Sequence, residues 1–260
     1  MPMHGFEKAY CDAAISALLE ANIHLMEASV TEANSTAHRY GKGDTLGLDA
    51  IPEIAIRRVL QERFDPSTII VTEELGDELA QRVDMEDHAS LTVFFCDPTD
   101  RSKYLHEFLA THHDGDPSKP VHRILGADDA IAEWEKSYSG PAAISGAVSA
   151  ITCVRAGLPM FSAILNYTTQ EIVLICASGA IILKLPKYQS PDYLRVNTAA
   201  ILGSGKPIKF PAKHAHAQDY EDHRTFITFL GKAGYQENFN DCELSKLSCC
   251  AYQTKLLGKP

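Results

Sequence analysis

Two short hydrophobic runs that each end abruptly in carboxylates constrain this chain most. Thr68 to Thr72 (TIIVT) runs straight into Glu73-Glu74-Leu75-Gly76, and Leu91 to Cys96 (LTVFFC) runs straight into Asp97-Pro98-Thr99-Asp100. Such β-branched and aromatic runs read as buried strands. Carboxylates on strand termini are held rigidly. If the two strands are parallel and end together, Glu73 and Asp97 point into one crevice at the carboxyl edge of the sheet, where α/β folds hold ligands.

The elements around these strands follow from spacing. Cys11, Ile15, Leu19, Ile23, Met26 and Val30 recur every three or four residues, which predicts one long amphipathic helix or two consecutive ones over 5–34. A glycine-rich turn, HRYGKGDTLGLD, comes next and carries Asp44 and Asp49. Ile51 to Phe64 reads as a helix with Pro52 in its first turn, where a missing N–H costs nothing. Residues 107–142 read as an insertion or lid, with a short helix around 127–137. From Ala142 the pattern becomes a β-meander with strands near 145–155, 159–166, 171–177 and 180–185. Residues 186–220 are rich in Pro and polar residues and read as a joint between domains. A helix is expected from about 243 to 257. The division is an N-terminal α+β domain over 1–185, carrying the site, and a smaller α/β domain over 186–260.

Composition narrows the class. A chain of 260 residues buries about 70% of its unfolded surface, so it needs no staples. No apolar run reaches the roughly 18 residues of a membrane span, and the start, MPMHGFEKAYCD, lacks the pattern of a secretory leader. The net charge of −10 repels nucleic-acid polymers and anionic membranes. It tolerates a small phosphorylated substrate if a cation masks the local carboxylates. Seven cysteines at irregular spacing, with no CxxC pair, read as reduced thiols of a cytoplasmic protein. Cys96 is expected to pack beneath the site. His112-His113 and the His214-x-His216 pair lie in polar stretches without a matching third ligand and read as solvent-exposed. Gly203-Ser204-Gly205-Lys206-Pro207 lacks the Walker spacing and reads as a hairpin or linker.

Three acidic clusters (Asp44/Asp49, Glu73/Glu74 and Asp97/Asp100) converging without lysines must be neutralised. Mg²⁺ is the natural partner for oxygen-only donors. Asp97 and Asp100, three apart across Pro98, can point the same way, and the Thr99 carbonyl adds another oxygen. Taken singly, a Glu pair after a strand is a solvated loop and DPTD a turn. All three in order point to a metal site.

In order and spacing, GDxxxLD, TEELGD at one strand end, DPTDRS at the next and a meander with G-L-P and A-S-G-A resemble the superfamily of inositol monophosphatases and fructose-1,6-bisphosphatases, over roughly residues 8–185 and more loosely 221–258. The resemblance implies a layered αβαβα sandwich of the sugar-phosphatase type and a Mg²⁺-dependent, lithium-sensitive phosphomonoesterase. Its substrate would be a small phosphorylated polyol, sugar or nucleotide, and its cofactor two or three Mg²⁺ ions. It implies that Glu73, Asp97, Asp100 and the Thr99 carbonyl ligate metal. Glu73, or Asp49 with Ser102, would position the attacking water, and Arg101 and Ser102 would meet the phosphate. Dimers or tetramers are common in the family, so the resemblance allows a homodimer.

The chain departs from the pattern at three places. Arg101 stands where the family has glycine, either gripping phosphate or crowding the pocket. Leu46 stands where the family has threonine, with Thr45 one place off. The family's last metal-binding aspartate lies beyond a helix like 243–257, so the C-terminal part reads either as truncated or as leaving the second metal site incomplete. The alternative function is a catalytically impaired relative that binds a ligand or regulates.

Overall fold

A computed structural model of the chain describes residues 5–36, 45–64, 68–72, 92–138, 140–156, 158–176 and 179–208. Among the described residues, seven strands form one sheet whose spatial order follows the chain: β1 (Ile69–Thr72), β2 (Thr92–Asp100), β3 (Val148–Arg155), β4 (Leu158–Asn166), β5 (Glu171–Cys176), β6 (Gly179–Lys184) and β7 (Lys206–Ile208). Only β1 and β2 run parallel; every later pair is antiparallel. The architecture is therefore α+β, as the sequence predicts. The described helices are α1 (Gly5–Glu27), α2 (Val30–Asn34), α3 (Gly47–Arg63), α4 (Ser102–His112), α5 (Val121–Leu125), α6 (Ala130–Tyr138), α7 (Ala142–Ser145) and α8 (Pro191–Gly203). None of the described helices is long and apolar enough to cross a membrane.

Period-two alternation along the strands sorts the core into two clusters. Ile151, Cys153, Phe161, Ala163, Leu165, Ile172 and Leu174 join the helices in the larger cluster, while Val148, Ala150, Ile164 and Val173 form a smaller one. α1 packs along α3 and against β3 and β4. The stripe read from sequence is buried throughout, but so are Ala13, Ala14, Ala17, Leu18, Ala21, Asn22 and Leu25. Small alanines let neighbours close in on sides that a hydrophobic stripe does not announce. The buried amide of Asn22 is satisfied by a reciprocal pair with Gln170 (2.9 and 3.1 Å), which ties α1 to the β4–β5 turn.

Sequence expectations change at several places. The segment 107–142 is no lid: Phe108, Leu109, Val121, Ile124, Leu125 and Trp134 are all buried in the main core. Trp134 lies tilted against Phe108 at 5.0 Å and donates its indole N–H to Ser145 Oγ at 3.0 Å. Their scattered spacing over three short helices hid this from periodicity. The second change concerns His112 and His113, which are half-buried at the end of α4, with His112 stacked on Phe108 at 4.1 Å. The third is the start of α3, which begins at Gly47 and not at Ile51. Pro52 therefore lies inside the helix, where its missing N–H does have a consequence, described below.

The stretch after 185 carries α8, clamped to α1 by Arg195 and Glu20, and β7, which extends the sheet beyond β6. Gly203 ends α8, and Lys206 and Pro207 lie in β7, in place of the hairpin or linker read there. The helix expected at 243–257 and the His214-x-His216 pair lie outside the described residues.

Candidate functional site

The site is built on the parallel pair. Register aligns Thr72 with Cys96, so Asp97 follows directly on the last described step of the parallel pair. Glu73, Glu74 and Asp44 lie outside the described residues. Thr72 is buried, and its hydroxyl has no hydrogen-bond partner among the described residues.

DPTD is not a turn. β2 continues through it, with Asp97 opposite Ala150 and Asp100 opposite Val148. Three steps on β2 match two on β3, which is a β-bulge. Residues three apart on a regular strand face opposite sides. The bulge changes that: Asp97 and Asp100 both register with residues of the smaller core cluster, hence with one face. The sequence expectation that they share a direction holds, by bulge geometry and not by a Pro-stiffened turn. Asp97 is 3% exposed, Thr99 is buried and Asp100 half-buried.

Asp49 is brought alongside by the internal proline of α3. Pro52 cannot donate to the carbonyl four residues back, that of Leu48. The Thr99 hydroxyl takes its place, lying 2.7 Å from Leu48 O. Thr99 thus docks the bulge onto the first turn of α3, one residue from Asp49. Asp49 is half-buried, and its Oδ2 accepts the Leu46 N–H at 3.3 Å. Leu46 has no side-chain oxygen with which to cap the helix, so Asp49 satisfies an N-terminal donor.

Arg101 and Ser102 follow the bulge directly. Arg101 has φ 66° and ψ 30°, the left-handed conformation that favours glycine. Its carbonyl opens α4 by accepting from Tyr104 and Leu105 (3.0 and 3.2 Å). Ser102, the first residue of α4, is half-buried.

Neighbouring groups register the carboxylate charge. Burial, then Glu53 and Asp97, push the Cys96 thiol far above its ordinary value, so Cys96 is an inert packing residue under the site. Burial also raises the Tyr167 phenol; hydrogen bonds with Ser149 and Thr99 oppose this, while Asp49 and Asp97 add to it. Asp49, Glu53 and Asp97 thus share one neighbourhood. Sequence reading missed Glu53, which is fully buried on α3. Its signal was the spacing Asp49, Glu53, Arg57 at four-residue steps, one face of a helix.

The donor chemistry suits a hard divalent cation: carboxylates and a main-chain carbonyl, without thiolate or imidazole. Among the described residues, no three His, Cys, Asp or Glu side chains gather closely enough to hold a metal by themselves. Of the ligands expected from the sequence, Asp97 and Asp100 are described and Glu73 lies outside the described residues. A separate open cleft of about 530 Å³ is lined by Glu20, Arg58, Arg63, Arg195, Ser16 and Thr198 among others. None of the described site carboxylates lines it.

No protein-family model and no curated protein matches the chain. Several solved structures are similar to it. CysQ from Bacteroides thetaiotaomicron, a bacterial member of the inositol monophosphatase family, matches at 16% identity and TM-score 0.44, over 89% of this chain and 70% of that one. Inositol monophosphatase II from Staphylococcus aureus MSSA476 matches at 15% identity and TM-score 0.39, over 67% of this chain and 49% of that one. A calcium-bound IMPase family protein from Staphylococcus aureus matches at 13% identity and TM-score 0.35, over 71% and 54%. This chain thus spans about half the length of the two staphylococcal proteins.

Proposed function

We propose that this chain is a Mg²⁺-dependent phosphomonoesterase of the inositol monophosphatase type, acting on a small phosphorylated polyol, sugar or nucleotide. The observation that carries the reading is the bulge in β2: it turns Asp97 and Asp100 to one face, directly beyond the step that aligns Cys96 with Thr72 of the parallel strand β1. Glu73, Asp97, Asp100 and the Thr99 carbonyl would hold the cation. Bound there, divalent cations lower the pKa of a water and stabilise charge on phosphate and leaving oxygen.

The chain's own residues supply the positioning that phosphoryl transfer chiefly needs. Asp97, nearly excluded from solvent, is held in a fixed place. Asp49 and Ser102 orient the attacking water, Asp49 accepting and the Ser102 hydroxyl relaying its proton. The Arg101 guanidinium, a fork of donors beside Ser102, binds the phosphate oxygens. Arg101 also supports the second reading, a relative without turnover, because a long side chain stands where the family's backbone approaches phosphate.

The test is phosphate release from inositol phosphates, fructose 1,6-bisphosphate and phosphoadenosine phosphate, with and without Mg²⁺ and with Li⁺. Mg²⁺-dependent, Li⁺-inhibited release from one class is expected, and Asp97→Asn is expected to lower it more than about 100-fold together with cation binding. A folded Asp97→Asn protein with full activity removes the site assignment. A folded wild type without release from any substrate favours the binding protein.

A further inference from the structure

We propose that Tyr167 and Ser149 are positioning residues that hold the Asp97–Asp100 bulge, and through it the cation site, in place. The inference rests on the functional reading above.

A bulge leaves an unpaired residue and a disrupted ladder. Here it contains Pro98, which has no N–H to give the ladder. Its carbonyl is held from the side instead. Ser149 Oγ donates to Pro98 O, and Ser149 Oγ lies 2.5 Å from the Tyr167 hydroxyl. Proton accounting fixes the direction. A carbonyl only accepts, and a serine has one proton. Ser149 therefore spends its proton on Pro98, and Tyr167 donates to Ser149. The Thr99 hydroxyl, 2.7 Å from both Pro98 O and Leu48 O, completes the set of contacts on the bulge.

Tyr167 is suited to serve as the fixed point. It is fully buried. Its N–H donates to Ala147 O at 3.0 Å, and its carbonyl accepts from Gln170 Nε2 at 2.8 Å. Gln170 is paired in turn with Asn22 of α1. The bulge is thus referenced through Ser149 and Tyr167 to the central helix, and through Thr99 to α3. Without that reference Pro98 would be free to shift, and Asp97 and Asp100 flank it within two residues. Buried hydrogen-bonded chains of this kind orient ligating side chains, and removing an outer partner typically lowers metal affinity about 10–100-fold.

The experiment uses the full chain and the variants Tyr167→Phe, Ser149→Ala and the double variant. Calorimetry with Mn²⁺ and with Mg²⁺ reads cation affinity directly, and thermal unfolding in chelator reads stability without it. Tyr167→Phe is expected to weaken cation binding about tenfold, while turnover at saturating Mg²⁺ stays near wild type. Ser149→Ala is expected to weaken binding at least as much. The double variant should lose more than Ser149→Ala, because Tyr167 also hydrogen-bonds Thr99 within the bulge. Should Tyr167→Phe fail to fold, Ser149→Ala alone decides. Folded variants with wild-type cation affinity overturn the inference and leave the site reading intact, even if their melting temperature falls. A wild-type chain that binds neither cation overturns the site reading and this inference together.

Discussion

Arg101 carries two demands on one residue. Its left-handed backbone costs a non-glycine residue roughly 1–2 kcal/mol. Its carbonyl must stay there because it opens α4 through Tyr104 and Leu105. Arg101→Gly would remove the strain but add freedom to the unfolded chain, worth about 0.4–1 kcal/mol in the other direction. The expected net result is a gain of about 0.5–1 kcal/mol, read as a higher urea midpoint with unchanged slope. Phosphate release from the same variant separates the side chain's two roles. It falls if the guanidinium grips phosphate and rises if the guanidinium obstructs. Loss of stability in Arg101→Gly would show that the side chain, and not the backbone, dominates at this position. The sequence names the position as unusual for want of a glycine, but the φ angle that explains why glycine suits it is a property of the folded turn.

At the scale of elements, Pro52 and Thr99 are coupled through one carbonyl, that of Leu48. Pro52 orphans the Leu48 carbonyl inside α3, and Thr99 from β2 satisfies it. Thr99→Val leaves that buried carbonyl without the hydroxyl and is expected to cost about 1–3 kcal/mol. Pro52→Ala restores a helical N–H to the same carbonyl, so the cost of Thr99→Val should shrink in that background. A double-mutant cycle by chemical denaturation reads the coupling; strict additivity would mean that the two residues do not share the carbonyl. The strands were legible because Ile69–Thr72 and Thr92–Cys96 are continuous hydrophobic runs and the meander alternates with period two. The start of α3 was not. Gly47 and Leu48 are poor start signals, and the capping oxygen belongs to Asp49 inside the helix. Nor was the bulge legible, since Asp-Pro-Thr-Asp is turn chemistry in isolation, and only the partner strand shows that pairing continues through it. Glu53, Ser149 and Tyr167 escaped for a related reason: their importance comes from what they face, not from what precedes them in the chain.

At the scale of the whole molecule, α1 is the spine to which distant parts of the chain attach. Asn22 holds the β4–β5 turn, α3 packs along it, and Glu20 receives α8. Two hydrogen bonds of 2.9 Å run from Arg195 to Glu20, and Arg58 shares Glu20 Oε2 at 3.3 Å. These charges lie 175 positions apart in sequence, too far for any local pattern to predict. The Arg195 hydrogen bonds, helped by the charges of Arg195, His24 and Arg58, outweigh burial and hold the Glu20 carboxyl below its ordinary value of 4.5. A carboxyl depressed in the folded state stabilises fully above its unfolded value, and that stabilisation drains away as pH falls from 4.5 through the lower folded value. Nearby His24 behaves differently. Burial first, and then Arg58, depress it below 6.5, so the unfolded chain takes up the proton sooner and stability declines already as pH drops below 6.5. The two limbs are therefore separable. Glu20→Gln is expected to lower stability at neutral pH by the modest amount of a partly exposed pair. Its deficit against wild type should persist to near pH 4.5 and close below it, because the wild type then loses the same contact by protonation. Unfolding curves at steps from pH 7 to pH 3, at low and high salt, measure this. A deficit that stays constant across the whole range would show that Glu20 contributes through packing alone, and that α8 is held to α1 by Leu194 and Ile201 in the core without help from charge.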